Sequence, residues 1–203
     1  MTLSARLWAG SADQAAAALA HPFVQGIGDG TLPEERFRGY VAQDAFFLEC
    51  FARAYALALA RSEDRATLDA FGDLLNGVRD ELRLHASYAA TWGVDMSGVQ
   101  PAPATSAYTD FLLATASLGG VGLTCAAMTP CMRLYAHLGQ SLTAQGPYAE
   151  WVRTYADPGF EALAARLEEL LDRHAEDTAQ TAAAYRRAMD LEIAFFDAAW
   201  TPS

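Results

Sequence analysis

The stretch FRGYVAQDAFFLECFARAYALALAR, Phe37 to Arg61, constrains this chain more than any other. Asp44, Phe47, Leu48, Phe51 and Tyr55 recur at i, i+3, i+4, i+7 and i+11, which is one face of a helix at 3.6 residues per turn. A carboxylate inside an apolar face must be hydrogen-bonded, paired or protonated, because an ionised Asp buried alone is strongly unfavourable. Two readings of Asp44 stay open: a structural cap or ion-pair partner, or part of a site whose aromatic neighbours hold a ring-shaped guest. If it reads a ring, Asp44→Asn should fold normally and bind poorly; if it is a structural ion-pair partner, the same change should cost roughly 3–5 kcal/mol of stability.

The rest of the chain continues the helical pattern. Leu3 to Ala20 is alanine-rich and helical, stopped at His21-Pro22 because the residue before proline avoids the helical region. In VQGIGDGTLPEERF, Gly26, Gly28 and Gly30 read as an inter-helix loop, since no strand precedes them and no Lys-Ser/Thr follows as in a phosphate loop. Thr31 and Glu34 read as a capping box that launches the Asp44 helix. A helix is expected from Asp64 to Trp92, with Gly72 and Gly77 as places where another helix packs closely, and with Glu81 and His85 on one face. Such a pair could ligate a metal, but the ferritin-like pattern repeats Glu-x-x-His on two helices and only one imperfect copy exists, so no metal site is expected.

Gly93 to Pro103 reads as a loop, and a helix resumes near Thr105, carries Tyr108 and breaks at Leu118-Gly119-Gly120. Val121 to Gln140 reads as a helix that Pro130 should kink. Tyr148 to Tyr155, Phe160 to Ala175 and Thr178 to Trp200 complete the helices. No strand pattern of convincing length interrupts them, so the expectation is an all-α fold in one domain, residues 1–203.

Fourteen Lys and Arg against 25 Asp and Glu give a net charge of -11, which repels phosphate backbones and anionic lipid and argues against nucleic acid as a partner. The N-terminal stretch lacks a continuous apolar core, and no run approaches the ~18 apolar residues of a membrane span. No membrane partner is expected, and the location expected is the cytoplasm. Cys50, Cys125 and Cys131 form no CxxC pair and are odd in number, which fits reduced thiols.

Chemistry concentrates at a few positions. Cys50 and Cys125 read as small buried hydrophobes, whereas Cys131 follows Pro130 and shares a helix face with Tyr135, making it the better nucleophile candidate. Glu192 stands among Leu191, Ile193, Phe195 and Phe196, a second acid in apolar company. Two such carboxylates, a cysteine and several tyrosines on separate helices are the parts of an enclosed site for nucleophilic and acid/base chemistry.

Four segments in order, HPFVQGIGDGTLPEERFRGYVAQDAFFL, PCMRLYAHLG, WVRTYADPGF and LEIAFF, resemble the TenA family of thiaminase II proteins from about residue 20 to residue 200. The resemblance implies a haem-oxygenase-like bundle of about seven to eight helices, usually a homotetramer, that needs no cofactor. It implies hydrolysis of a small-molecule pyrimidine, thiamine or its aminomethylpyrimidine breakdown product, to hydroxymethylpyrimidine. On the matching positions Cys131 corresponds to the family's nucleophile, Glu192 to its acid/base glutamate and Asp44 to the aspartate that holds the pyrimidine. Tyr108, Tyr135 and Tyr155 correspond to substrate contacts, and Phe47 and Phe195 are expected beside the ring. Phe47 stands where the family often has a tyrosine, and Arg133 where it often has an aromatic residue. Two alternatives remain: a pyrimidine-binding or regulatory relative without turnover, and a haem- or metal-binding protein of the same fold.

Overall fold

The computed structural model describes residues 1–94 and 99–201; the centre of the expected Gly93–Pro103 loop, residues 95–98, lies outside the described residues. Among the described residues ten α-helices follow one another: α1 (Leu3–Ala9), α2 (Ala12–Leu19), α3 (Pro22–Asp29), α4 (Glu34–Ala60), α5 (Arg65–Trp92), α6 (Pro103–Leu118), α7 (Val121–Ser141), α8 (Ala149–Tyr155), α9 (Pro158–His174) and α10 (Ala179–Trp200). There is no strand among the described residues, so the fold is all-α.

Ten helices exceed the seven to eight expected, and the surplus comes from the amino-terminal region. Leu3–Ala20 is two helices, because the chain turns at Gly10-Ser11 between α1 and α2. The glycine-rich segment taken for a loop is helix α3, which starts with Pro22 in its first turn while the His21 ring accepts from the Phe23 N–H at 3.1 Å. The capping box is absent: the Thr31 hydroxyl donates back to Asp29 at 2.6 Å, and α4 begins after Pro33 without a side-chain cap. Asp64 does cap its helix, accepting from the Thr67 N–H at 3.0 Å.

Helix α4 packs against α5 and α6, and α7 packs against α9 and α10. Most of α7 is buried, and it runs unbroken through Pro130. Gly139 explains how close its neighbours come: a Cβ there would lie 2.4 Å from the carbonyl carbon of Tyr155, so a side chain would push α8 away. Arg133 reaches from α7 to α9, where it bonds Glu161 at 2.8 and 2.9 Å and Glu168 at 2.8 and 2.6 Å. These contacts fix α7, α8 and α9 relative to one another, and α7 and α8 carry three of the expected site residues. Behind them a buried aromatic layer, including Tyr40, Phe51, Tyr55, Trp151 and Phe196, fills the centre of the bundle.

Candidate active site

The aromatic face of α4 looks into a narrow cavity of about 10 Å³, into which Asp44, Phe47 and Phe51 project. Cys131 and Tyr135 reach it from α7, Tyr155 from α8 and Glu81 from α5. The helical period places Asp44 and Phe47, and likewise Cys131 and Tyr135, on common faces. Of the eight residues expected at the site, Asp44, Phe47, Cys131, Tyr135 and Tyr155 therefore line one cavity. Glu192 and Tyr108 sit directly behind Cys131 and Phe47: the Tyr108 hydroxyl donates to Glu192 Oε1 at 2.7 Å, and its ring lies 4.8 Å from that of Phe47. Phe195 is placed differently. Its ring is 6.0 Å from Phe47, but it lines a separate surface groove with Tyr40 and Gln43.

Asp44 has a partner that sequence reasoning missed. Its Oδ2 is 2.5 Å from Nε2 of His85, and both side chains are buried. Nδ1 of His85 faces the main-chain carbonyl of Glu81 at 3.0 Å, so both ring nitrogens point at acceptors, which suits the doubly protonated ring. Burial pulls the His85 pKa down, but the Asp44 charge outweighs it and holds the imidazolium to about 9. Glu81 itself accepts from the Tyr155 hydroxyl at 2.6 Å. The i, i+4 spacing of Glu81 and His85 was visible in the sequence, weighed as a metal pair; that Asp44 on another helix would meet them was not. Among the described residues no group of three or more His, Cys, Asp or Glu side chains is arranged to hold a metal ion.

The remaining groups are tuned in the same direction. Burial raises Glu192 to about 8, against the downward pull of hydrogen bonds from Tyr108 and Cys131, so its carboxyl is protonated at neutral pH. Burial, and then the negative charge of Glu192, Glu81 and Asp44, push the Cys131 thiol well above its ordinary value. At rest the pair is a neutral thiol facing a neutral acid. Burial also raises Glu81 to about 7, with His85 and Tyr155 drawing it down and Asp44 drawing it up. Trp151 Nε1 donates to the Tyr40 hydroxyl at 3.2 Å and Tyr40 to Tyr135 at 3.4 Å, which holds the Tyr135 ring at the cavity wall. The arrangement can add a thiol to an electrophilic ring, move protons on two sides of it, and hold a donor group against a fixed carboxylate.

Comparison with known proteins places this geometry in a family. The chain is 34% identical over 227 residues to a bifunctional TH2 protein, mitochondrial, of Arabidopsis thaliana, covering 97% of this chain and 37% of that protein. It is 36% identical over 166 residues to an aminopyrimidine aminohydrolase of Halalkalibacterium halodurans, covering 77% of this chain and 74% of that one. The chain thus spans little more than a third of the first relative and about three quarters of the second. Among solved structures, a TenA family transcription regulator from Silicibacter sp. TM1040 superposes with a TM-score of 0.91 at 28% identity, covering 98% of this chain and 96% of that one. A domain with a heme oxygenase-like fold from Shewanella denitrificans superposes with a TM-score of 0.76 at 16% identity over 97% of this chain and 91% of that one, and bears on the fold alone. The model of the TENA/THI-4/PQQC family matches residues 9–202, and the chain belongs to that family.

Proposed function

We propose that this protein hydrolyses an aminomethylpyrimidine or thiamine to hydroxymethylpyrimidine, with Cys131 as nucleophile and Glu192 as acid and base. The observation that carries this reading is the cavity shared by the Cys131 thiol and Asp44, with Glu192 held behind the thiol by Tyr108. Relatives named aminopyrimidine aminohydrolase, at 36% and 31% identity, support the reaction class.

Each residue type answers a need of that reaction. An aromatic pyrimidine releases a group from its exocyclic methylene reluctantly, so the ring must first lose its aromaticity. Glu192 gives its proton to a ring nitrogen, and the carboxylate so formed takes the thiol proton as Sγ bonds to a ring carbon. The bond to the leaving group then breaks, its electron pair departing with that group, and the ring nitrogen keeps its proton until the C–S bond breaks, when that proton passes through Glu192 to the sulfur. Water adds at the methylene, and cleavage of the C–S bond restores the ring. Asp44, held by His85, accepts from the ring's exocyclic amine, and Phe47, Tyr135 and Tyr155 pack around the ring with Tyr108 behind Phe47.

Release of hydroxymethylpyrimidine on mixing with aminomethylpyrimidine tests the proposal. Cys131→Ala should lose at least ~10³-fold in rate while still binding pyrimidine, and Cys125→Ala should be nearly silent. Similar activity in both variants would remove the covalent role. Binding of hydroxymethylpyrimidine with no turnover of either substrate by the unmodified protein would instead favour a regulatory role, the reading that the Silicibacter relative's name supports. We further propose a cytoplasmic homotetramer built from this one domain, based on a 52% hydrophobic composition and the resemblance. No helix among the described residues is long and apolar enough to cross a membrane. A monomer by light scattering at micromolar protein would exclude the tetramer.

A further inference from the structure

A few side chains separate the cavity from a second hollow nearer the surface. This outer groove, between α5, α8 and α9, shares three lining side chains with the cavity, Glu81, Met132 and Phe160, and Glu81 is the ionisable one of the three. A group expelled from the ring toward solvent by this route passes Glu81 first. The other carboxylates of the site are committed: Glu192 to Tyr108 and Cys131, Asp44 to His85. Glu81 has one side-chain hydrogen bond among the described residues, from Tyr155 to Oε1, which leaves Oε2 open to a ligand. Its main-chain carbonyl meanwhile steadies His85, so the same turn of α5 orients the group that holds Asp44.

We infer that Glu81 is the proton-handling group on the leaving-group side of the site, keeping the departing nitrogen of an aminomethylpyrimidine protonated as its bond to carbon breaks. This rests on the hydrolysis proposed above and divides the acid/base work between two residues. Glu192 serves the ring nitrogen and the thiol. Glu81 serves the amine: a proton lies between its carboxyl and the amine nitrogen, the C–N bond breaks with its electron pair going to nitrogen, and ammonia leaves through the outer groove. The water that adds to the methylene gives up one proton, which restores the proton spent on the amine. A merely structural Glu81, protonated to satisfy Tyr155, would treat all leaving groups alike.

Thiamine distinguishes the two. Its thiazolium nitrogen carries no hydrogen and leaves as a neutral thiazole once it takes the electron pair, so its departure needs no proton. The experiment measures kcat/KM for aminomethylpyrimidine and for thiamine on the same preparation of Glu81→Gln, and compares their ratio with that of the unmodified protein. Because both rates scale with the same amount of folded protein, the ratio is insensitive to partial unfolding. General acid catalysis contributes about 10²–10⁴-fold, so the ratio of amine to thiamine turnover should fall at least tenfold. A smaller fall overturns the assignment. Should the amide variant not fold, Glu81→Asp, which withdraws the same carboxyl by one methylene, decides the matter, with a threefold fall in the ratio as the dividing line. An unmodified protein that turns over neither substrate would defeat the proposed hydrolysis itself, a different result from an unchanged ratio.

Discussion

Asp44 shows how one side chain can satisfy two readings of a sequence. The helical period put a carboxylate in an aromatic face and demanded a partner, and His85 is that partner, yet the carboxylate also lines the cavity. The expectation that a ring-reading Asp44 would tolerate an amide assumed no buried counter-charge. With His85 buried beside it, Asp44→Asn strands an imidazolium, and removing one member of a buried pair costs about 3–5 kcal/mol. The variant should melt on the order of 10 °C below the unmodified protein, at a few degrees per kcal/mol for a chain of this size, and lose pyrimidine affinity as well. A melting temperature within about 2 °C of the original would show that the pair contributes little to stability, in line with the smallest measured ion-pair energies. At this scale most of the residues that line the cavity were legible, because aromatic and acidic residues out of place in a periodic pattern mark themselves. Glu81 and Phe195 were not. The first gains its position from a tertiary contact with Tyr155, 74 residues away, and the second turns from the cavity to a neighbouring groove.

At the level of helices, period and breakers located α4 to α10 closely, and failed where glycine was taken as punctuation. Glycine in α3 and α7 serves close approach, which no local pattern reveals. The same residue type accordingly predicts opposite effects at two positions. A Cβ on Gly72 of α5 meets nothing within 4 Å, so Gly72→Ala should stabilise by up to about 1 kcal/mol through helix propensity alone. A Cβ on Gly139 meets the Tyr155 backbone at 2.4 Å, and overpacking of this kind costs about 1–3 kcal/mol or more. Gly139→Ala should also displace Tyr155 from Glu81, so its activity should fall further than its stability explains. Paired thermal melts and rate measurements on the two variants check this; equal behaviour would mean that α8 yields without consequence.

For the molecule as a whole, the site imposes a pH dependence on folding. Glu192 and Glu81 are raised from 4.5 to about 8 and about 7, and His85 from 6.5 to about 9. All three bind protons more tightly when folded, so between about pH 4.5 and 9 the folded state holds more protons than the unfolded one. Stability linked to them is fully present below the unfolded values and is lost as pH rises through the folded ones. The melting temperature should therefore fall steadily from about pH 5 to pH 9, and turnover should decline above about pH 8 as Glu192 loses the proton it gives the ring. A melting temperature that rose from pH 5 to pH 8 would contradict the protonation states assigned to the site.

The candidate site draws its groups from α4, α5, α6, α7, α8 and α10, and the bond from Tyr108 to Glu192 spans 84 residues. During synthesis Cys131 therefore emerges long before the acid that completes it. Until α10 has been made and docked, the nascent chain carries Cys131 without Glu192 behind it, and the proposed chemistry can begin only when folding has finished.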